Sequence, residues 1–288
     1  MAWRSWLMAA AVLGLCGCGA GASKRAAPVV PKDAPRLLSL ADASVAPADA
    51  AALAACRERL GLAADVEKLA DPTNFGERES RDVWGRATQA RPLVIVLHET
   101  VVSEAATVQL FQTPHPRDAD QVSYHVLIAR DGTRLRIVPD NKRAYGAGMS
   151  AFGDVTQRRE PGRVGSINNI ALHVSLVTPP DGRDDRGAHS GYTEAQYRSL
   201  AGQVLLWQAR HGIPMTRVTT HAAVDRSRSR YDPRSFRWDR FDPLYQAAAR
   251  ACGFERFDNP RGRAVMPPAS KCSFCSDSNS LCFNFWAQ

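Results

Sequence analysis

The chain has 288 residues, enough for one sizeable core plus extensions. Its apolar fraction of 44% excludes wholesale disorder. A formal charge of +8 fits either simple solubility or attraction to an anionic partner such as a wall polymer or a membrane surface; the arginines are scattered and no RNP, zinc-finger or basic-zipper pattern occurs, so no nucleic-acid partner is expected.

Residues 1–18 read as a signal rather than as fold. Arg4 precedes an apolar run from Trp6 to Leu15, which is too short to span a bilayer comfortably. The run ends in Leu15-Cys16-Gly17-Cys18, which resembles a bacterial lipobox. Cys18, behind the small Gly17, fits the cleavage rule, whereas Cys16 follows the bulky Leu15. The expectation is export and a lipid anchor on Cys18. Gly19, rather than Asp, after that cysteine points to the outer membrane, facing the periplasm.

Residues 19–47 are rich in Ala, Pro and Ser without periodicity and read as a tether. Residues 48–91 form an N-terminal extension. Ala-rich residues 48–62 predict a helix stopped by Gly61, and residues 63–91 read as polar and irregular. The main domain is expected over residues 92–252 and a Cys-containing tail over 253–288. Past Cys18 the cysteines are Cys56, Cys252, Cys272, Cys275 and Cys282, an odd number, so one stays unpaired. Cys56 and Cys252 flank the main domain, where a bridge would close a very long loop. The tail cysteines lack a fourth ligand for structural zinc.

Within the main domain, Leu93–Leu97 is a continuous apolar run and predicts a buried strand. Pleating places His98, just beyond it, on the side of Val94 and Val96. Residues 102–110 predict a helix. Residues 122–129 and 133–138, joined by Asp131-Gly132, predict a hairpin. A Gly-rich loop occupies 144–166. Residues 170–177 alternate, with Ile170, Leu172, Val174 and Leu176 on one face and Ala171, His173 and Ser175 on the other, a small, polar face suited to substrate. Thr193 and Gln196 form a capping box for a helix ended by Gly212. A short strand at 213–219 leads to His221, and 239–252 is a last helix. Strands alternating with helices predict an α/β domain, a mixed central β-sheet flanked by helices.

His98, His221 and Asp232 supply two imidazoles and one carboxylate, the ligand count of an open, catalytic zinc site. Asp225 is a rival carboxylate. A zinc held this way suits hydrolysis of an amide or ester.

Four motifs occur in order: His98 at the end of an apolar strand, Val122-Ser123-Tyr124-His125-Val126-Leu127-Ile128-Ala129-Arg130-Asp131-Gly132-Thr133, Ala144-Tyr145-Gly146-Ala147-Gly148-Met149-Ser150, and His221 with Asp232-Pro233. Together, over about residues 90–245, they resemble the zinc-dependent N-acetylmuramoyl-L-alanine amidases of the type 2 class, which share a fold with peptidoglycan recognition proteins. The resemblance implies zinc on His98, His221 and Asp232 and cleavage of the amide between N-acetylmuramic acid and L-alanine in peptidoglycan or its fragments; a monomer is expected, although the sequence does not fix the oligomeric state. The chain departs from the pattern at several positions. His173 stands where relatives carry a Glu that assists the zinc water, leaving either His173 or Glu99 as the expected base. Arg230 stands in place of a Lys, as an expected oxyanion partner. Tyr124 is expected to orient water or the substrate carbonyl. Gly146 stands where a loop His is usual, which puts a substrate contact in doubt. His115, His189 and His211 read as surface residues. The alternative is a recognition module that binds peptidoglycan without cutting it.

Overall fold

The computed structural model describes residues 29–38, 46–184 and 187–254. The signal and lipobox expected over 1–18 and the tail cysteines Cys272, Cys275 and Cys282 lie outside these residues, as does most of the tether. Among the described residues no helix is long and apolar enough to cross a membrane.

Helix α1 (Ala50–Arg59) begins at Asp49, whose carboxylate accepts from the Ala52 N–H, satisfying one of the free donors of the first turn. The stretch read as irregular contains two short strands, β1 (Val66–Glu67) and β2 (Phe75–Glu77). Two or three residues are too few to leave a periodic trace in sequence.

Strand β3 (Val94–Glu99) is buried throughout and runs two residues past the predicted apolar run, carrying His98 and Glu99 inside the sheet. Helix α2 (Glu104–Gln112) starts from the Ser103 cap. The hairpin forms as β4 (Val126–Ile128) and β5 (Arg134–Arg136), antiparallel with Leu127 opposite Leu135. It is followed by β6 (Lys142–Ala144) and β7 (Ala171–Leu176).

Helix α3 (Glu194–His211) carries the full capping box at Thr193 and Gln196. It ends at Gly212 with φ of 68°, a conformation that costs a residue with a Cβ about 1 kcal/mol or more. Beyond it lie β8 (Val218–Thr220), the single turn α4 (His221–Val224) and α5 (Trp238–Cys252).

The main sheet has the order β1-β5-β4-β7-β3-β8, and β2 pairs with β6 in a separate two-stranded sheet. Only β4–β5 is antiparallel in the main sheet; β7, β3 and β8 run parallel, so their carboxyl ends meet at one edge. The mixed sheet with flanking helices is the architecture expected from sequence. One face carries Ile95, Leu97, Val126, Ile128, Leu172, Val174 and Leu176 against Tyr197, Val204 and Trp207 of α3 and Phe241 and Tyr245 of α5. Ile170, expected with this set, precedes β7 and packs with Val94 and Val96 on the other face.

Cys56 of α1 and Cys252 of α5 form a disulfide across 196 residues of sequence. It closes the loop considered from sequence and ties both terminal helices together. Cys56→Ser is expected to lower unfolding stability by about 3–5 kcal/mol, read as a shifted urea midpoint at neutral pH, and dithiothreitol should shift the wild-type midpoint by the same amount. Equal midpoints for the oxidised and reduced wild type would show that the bridge contributes nothing.

Candidate metal centre

The parallel registers assemble this centre. Leu97 of β3 pairs with Thr220 of β8, so His98 and His221 follow neighbouring rungs at the carboxyl edge. His221 opens α4, whose cap is the Thr220 hydroxyl accepting from Ala223 N–H. Asp232 arrives from the following loop, and its carbonyl accepts from Ala222 N–H at 3.0 Å. The Asp232–Pro233 peptide is cis.

His98, His221 and Asp232 place one donor atom each within 4.8 Å of one another, the one such cluster of His, Cys, Asp or Glu among the described residues. His221 Nδ1 lies 2.9 Å from Asp232 Oδ1, and His98 Nδ1 lies 3.3 Å from Asp232 Oδ2. Despite this proximity, His98 Nδ1, His221 Nδ1 and Asp232 Oδ2 are buried without a well-formed hydrogen bond. Orphaned buried polar atoms are costly and demand a partner. Three of them converging, two imidazole nitrogens and a carboxylate oxygen, fit a zinc ion.

Electrostatics favour the donor forms. Burial, with His221 alongside, pushes His98 down to about 4, so its ring is neutral and keeps a lone pair. Burial pushes the Asp232 carboxyl up, but the adjoining His221 and His98 rings outweigh it and hold the group well below the usual carboxylate range.

His173 lies behind His98. Its Nδ1 is 2.9 Å from His98 Nε2, and its side chain is fully buried. Burial, then the neighbouring His98, holds its pKa well below the ordinary value. If Nδ1 of His98 faces a cation, its Nε2–H donates to His173 Nδ1, which fixes the tautomer and the ring angle. His173 is thereby a hydrogen-bond acceptor for a ligand. Its backbone N–H in turn donates to His125 Nδ1.

Glu99, the other expected base, requires a correction. Adjacent strand residues point to opposite faces, so Glu99 faces away from His98, on the side of Ile95 and Leu97. Its side chain has no exposed surface. Oε1 accepts from Arg234 Nε at 2.5 Å and Arg234 N–H at 3.2 Å; Oε2 accepts from Tyr192 OH and His189 Nε2, each at 2.9 Å. Glu99 borders the cleft, but a carboxylate with no exposed surface and both oxygens engaged on the opposite face is not placed to take a proton there.

A cleft of about 560 Å³ opens over the centre, lined among others by Tyr124, His221, Asp232, Arg230, Tyr145 and Met149. Tyr124 stacks on His98 with ring centroids 4.4 Å apart and meets Phe111 edge-on. Burial pushes its phenol well up, so it stays protonated and can donate. Arg230 is exposed at the cleft wall, on a loop organised by Asp225, whose carboxylate accepts from Ser227, Ser229 and Arg230 N–H groups. Those bonds commit Asp225 to its own loop and remove it as a rival ligand. The centre thus brings together His98, His221, Asp232, Tyr124, His173 and Arg230, and leaves Glu99 outside.

The family model for N-acetylmuramoyl-L-alanine amidase matches residues 88–235. The chain belongs to this amidase family. The 1,6-anhydro-N-acetylmuramyl-L-alanine amidase AmpD of Citrobacter freundii is 32% identical over 124 residues, 43% of this chain; the match spans 57% of that relative's length. AmpD of Salmonella typhimurium gives the same identity and coverage. Solved structures that resemble the chain include a selenomethionine derivative of AmpD, with TM-score 0.46 and 24% identity over 64% of this chain and 96% of that chain. Another is E. coli AmiD in complex with anhydro-N-acetylmuramic acid-L-Ala-D-gamma-Glu-L-Lys, with TM-score 0.42 and 20% identity over 59% of this chain and 65% of that chain.

In this amidase-family chain the Gly at 146 has a local reason. A Cβ there would lie 2.6 Å from His173 Cγ and Nδ1. The loop residue must be Gly for the His173 ring to fit. His189, read from sequence as a surface residue, and Arg234 are buried against Glu99. No periodicity marks their loops, so no sequence signal gave them away. Gly146→Ala should destabilise by about 1–3 kcal/mol. Adding His173→Ala should recover part of that loss, a coupling of about 0.5–3 kcal/mol in a urea-denaturation cycle. Strict additivity would refute the contact.

Proposed function

We propose that this chain is an exported, lipid-anchored zinc amidase that hydrolyses the amide between N-acetylmuramic acid and L-alanine in peptidoglycan or its fragments. The observation that carries the reading is the convergence of His98 Nδ1, His221 Nδ1 and an Asp232 carboxylate oxygen on one point beneath a cleft, inside the family-matched segment. The names of the AmpD relatives and the substrate in the AmiD complex support anhydro-muropeptides as the substrate class. The apolar run after Arg4 and the Leu15-Cys16-Gly17-Cys18 sequence support export and an anchor on Cys18, facing the periplasm from the outer membrane. The positive charge favours an anionic wall polymer.

His98, His221 and Asp232 would hold the zinc, which when bound supplies Lewis acidity for attack on an amide carbonyl. His173 holds the His98 tautomer through the Nε2–Nδ1 contact. Tyr124, kept protonated, presents its hydroxyl to the cleft as a donor toward water or the carbonyl oxygen. Arg230 presents a permanent cation to the same wall, where charge develops on that oxygen. Its planar fork would serve where the family resemblance implies a Lys.

The purified chain is expected to carry one zinc per molecule by elemental analysis and to release L-Ala-terminated peptides from anhydro-muropeptides. His221→Ala should lose both the metal and the activity. Full activity without metal would refute the zinc reading; binding of muropeptides with zinc present and no peptide released would refute the enzyme in favour of a recognition module. Arg230→Ala should lower kcat by about 10²-fold with KM little changed; an unchanged kcat would remove Arg230 from the reaction.

A further inference from the structure

The carboxylate that does not face the cleft has a different task. Glu99 stands at the end of β3, one residue after His98, and the pleat sends it to the opposite face. There it meets Arg234, two residues after Asp232. The two side chains are almost completely buried, and the Arg234 backbone N–H joins the side-chain Nε on the same Glu99 oxygen. Arg234 is itself anchored, donating through its other guanidinium nitrogens to Gly187 O and Gly182 O.

The second Glu99 oxygen is held from the loop before α3. His189 Nδ1 accepts from Gly191 N–H, so the ring presents Nε2–H to Glu99, and the Tyr192 hydroxyl adds a further donor. That loop also grips the segment after Asp232, because His189 N–H donates to Ser235 Oγ. The Glu99–Arg234 contact leads from the strand carrying one metal-site donor to the segment carrying another, and the loop before α3 braces both ends of it.

We propose that Glu99 is a positioning residue: through Arg234 it sets the separation between His98 and Asp232, and thereby the geometry offered to a metal ion. This rests on the metal reading of His98, His221 and Asp232. On the cleft side the Asp232 segment is tied to α4 by the Ala222 N–H to Asp232 O bond, which does not reach β3. Glu99 supplies the second constraint from behind the sheet, and two constraints on opposite faces stop the Asp232 segment from pivoting. The carboxylate charge matters as well as its shape, since a charge-assisted guanidinium contact reinforced by the backbone N–H holds a narrower geometry than a neutral amide can.

Co²⁺, whose visible absorption bands report ligand geometry, is the probe. The full chain, Glu99→Gln, Arg234→Lys and Tyr192→Phe would be titrated with Co²⁺ against a competing chelator, with far-UV circular dichroism checking the fold. Wild type is expected to take up one equivalent. Glu99→Gln and Arg234→Lys should bind at least about tenfold more weakly, the range typical of groups that orient metal ligands, with shifted bands. Tyr192→Phe, which leaves the Arg234 contact intact, should bind within about threefold of wild type, a range small against that loss. If Glu99→Gln does not fold, Arg234→Lys decides. A folded Glu99→Gln, or Arg234→Lys in its place, with wild-type affinity and bands would overturn the proposal. So would a Tyr192→Phe loss as large as the other two, since general loosening would then explain it. A wild-type chain that takes up no Co²⁺ would instead overturn the metal reading, and this proposal with it.

Discussion

The arrangement depends on β3 being paired in parallel on both sides. Between β7 and β8 its backbone donors and acceptors are satisfied, and all six of its residues are buried. Because side chains alternate, a slip of one residue in either register would send His98 into the helix-packed face and bring a neighbour toward the cleft. Apolar packing resists that slip: Ile95 and Leu97 are committed to α3 and α5, Val94 and Val96 to the opposite cluster. The aliphatic residues of β3 therefore fix which way a histidine points, and the parallel sense brings the β8 exit beside it.

A strand end with ionisable side chains on both faces is expensive unless each is partnered. On the helix face Glu99 has four donors. On the cleft face His98 has His173 at one nitrogen and stacks on Tyr124. What is left over is small and pointed: the Nδ1 atoms of His98 and His221 and an oxygen of Asp232. His173 Nε2 and Ser175 Oγ also lack partners, but it is the gathering of three donors of ligand type within 4.8 Å that makes the shared deficit read as a cation site rather than as loose packing.

The parts legible in sequence were those written in periodicity or in short-range chemistry. The apolar run of β3, the Asp131-Gly132 turn and the Thr193–Gln196 capping box each carry their signal within a few residues. Donor types and order pointed to His98, His221 and Asp232 as a set, and the structure gathers them. The direction of Glu99 was in principle legible, since the alternation that places His98 with Val96 must send Glu99 the other way; its polar chemistry beside a ligand obscured this. The burial of His189 and Arg234 and the fit of Gly146 against His173 depend on contacts between residues 27 to 135 positions apart, which no local pattern encodes. The short strands β1 and β2 were missed because pairing with β5 and β6, not propensity, makes them strands.

The Cys56–Cys252 bridge also changes what a protease can do to the molecule. All the main-sheet strands and the metal-centre side chains lie between its two ends. A single backbone nick anywhere in that span would produce two polypeptides that remain one covalent body, each still docked on the other's strands. With the bridge oxidised, such a molecule would tolerate one scission in an exposed loop without parting from the residues of its candidate metal centre.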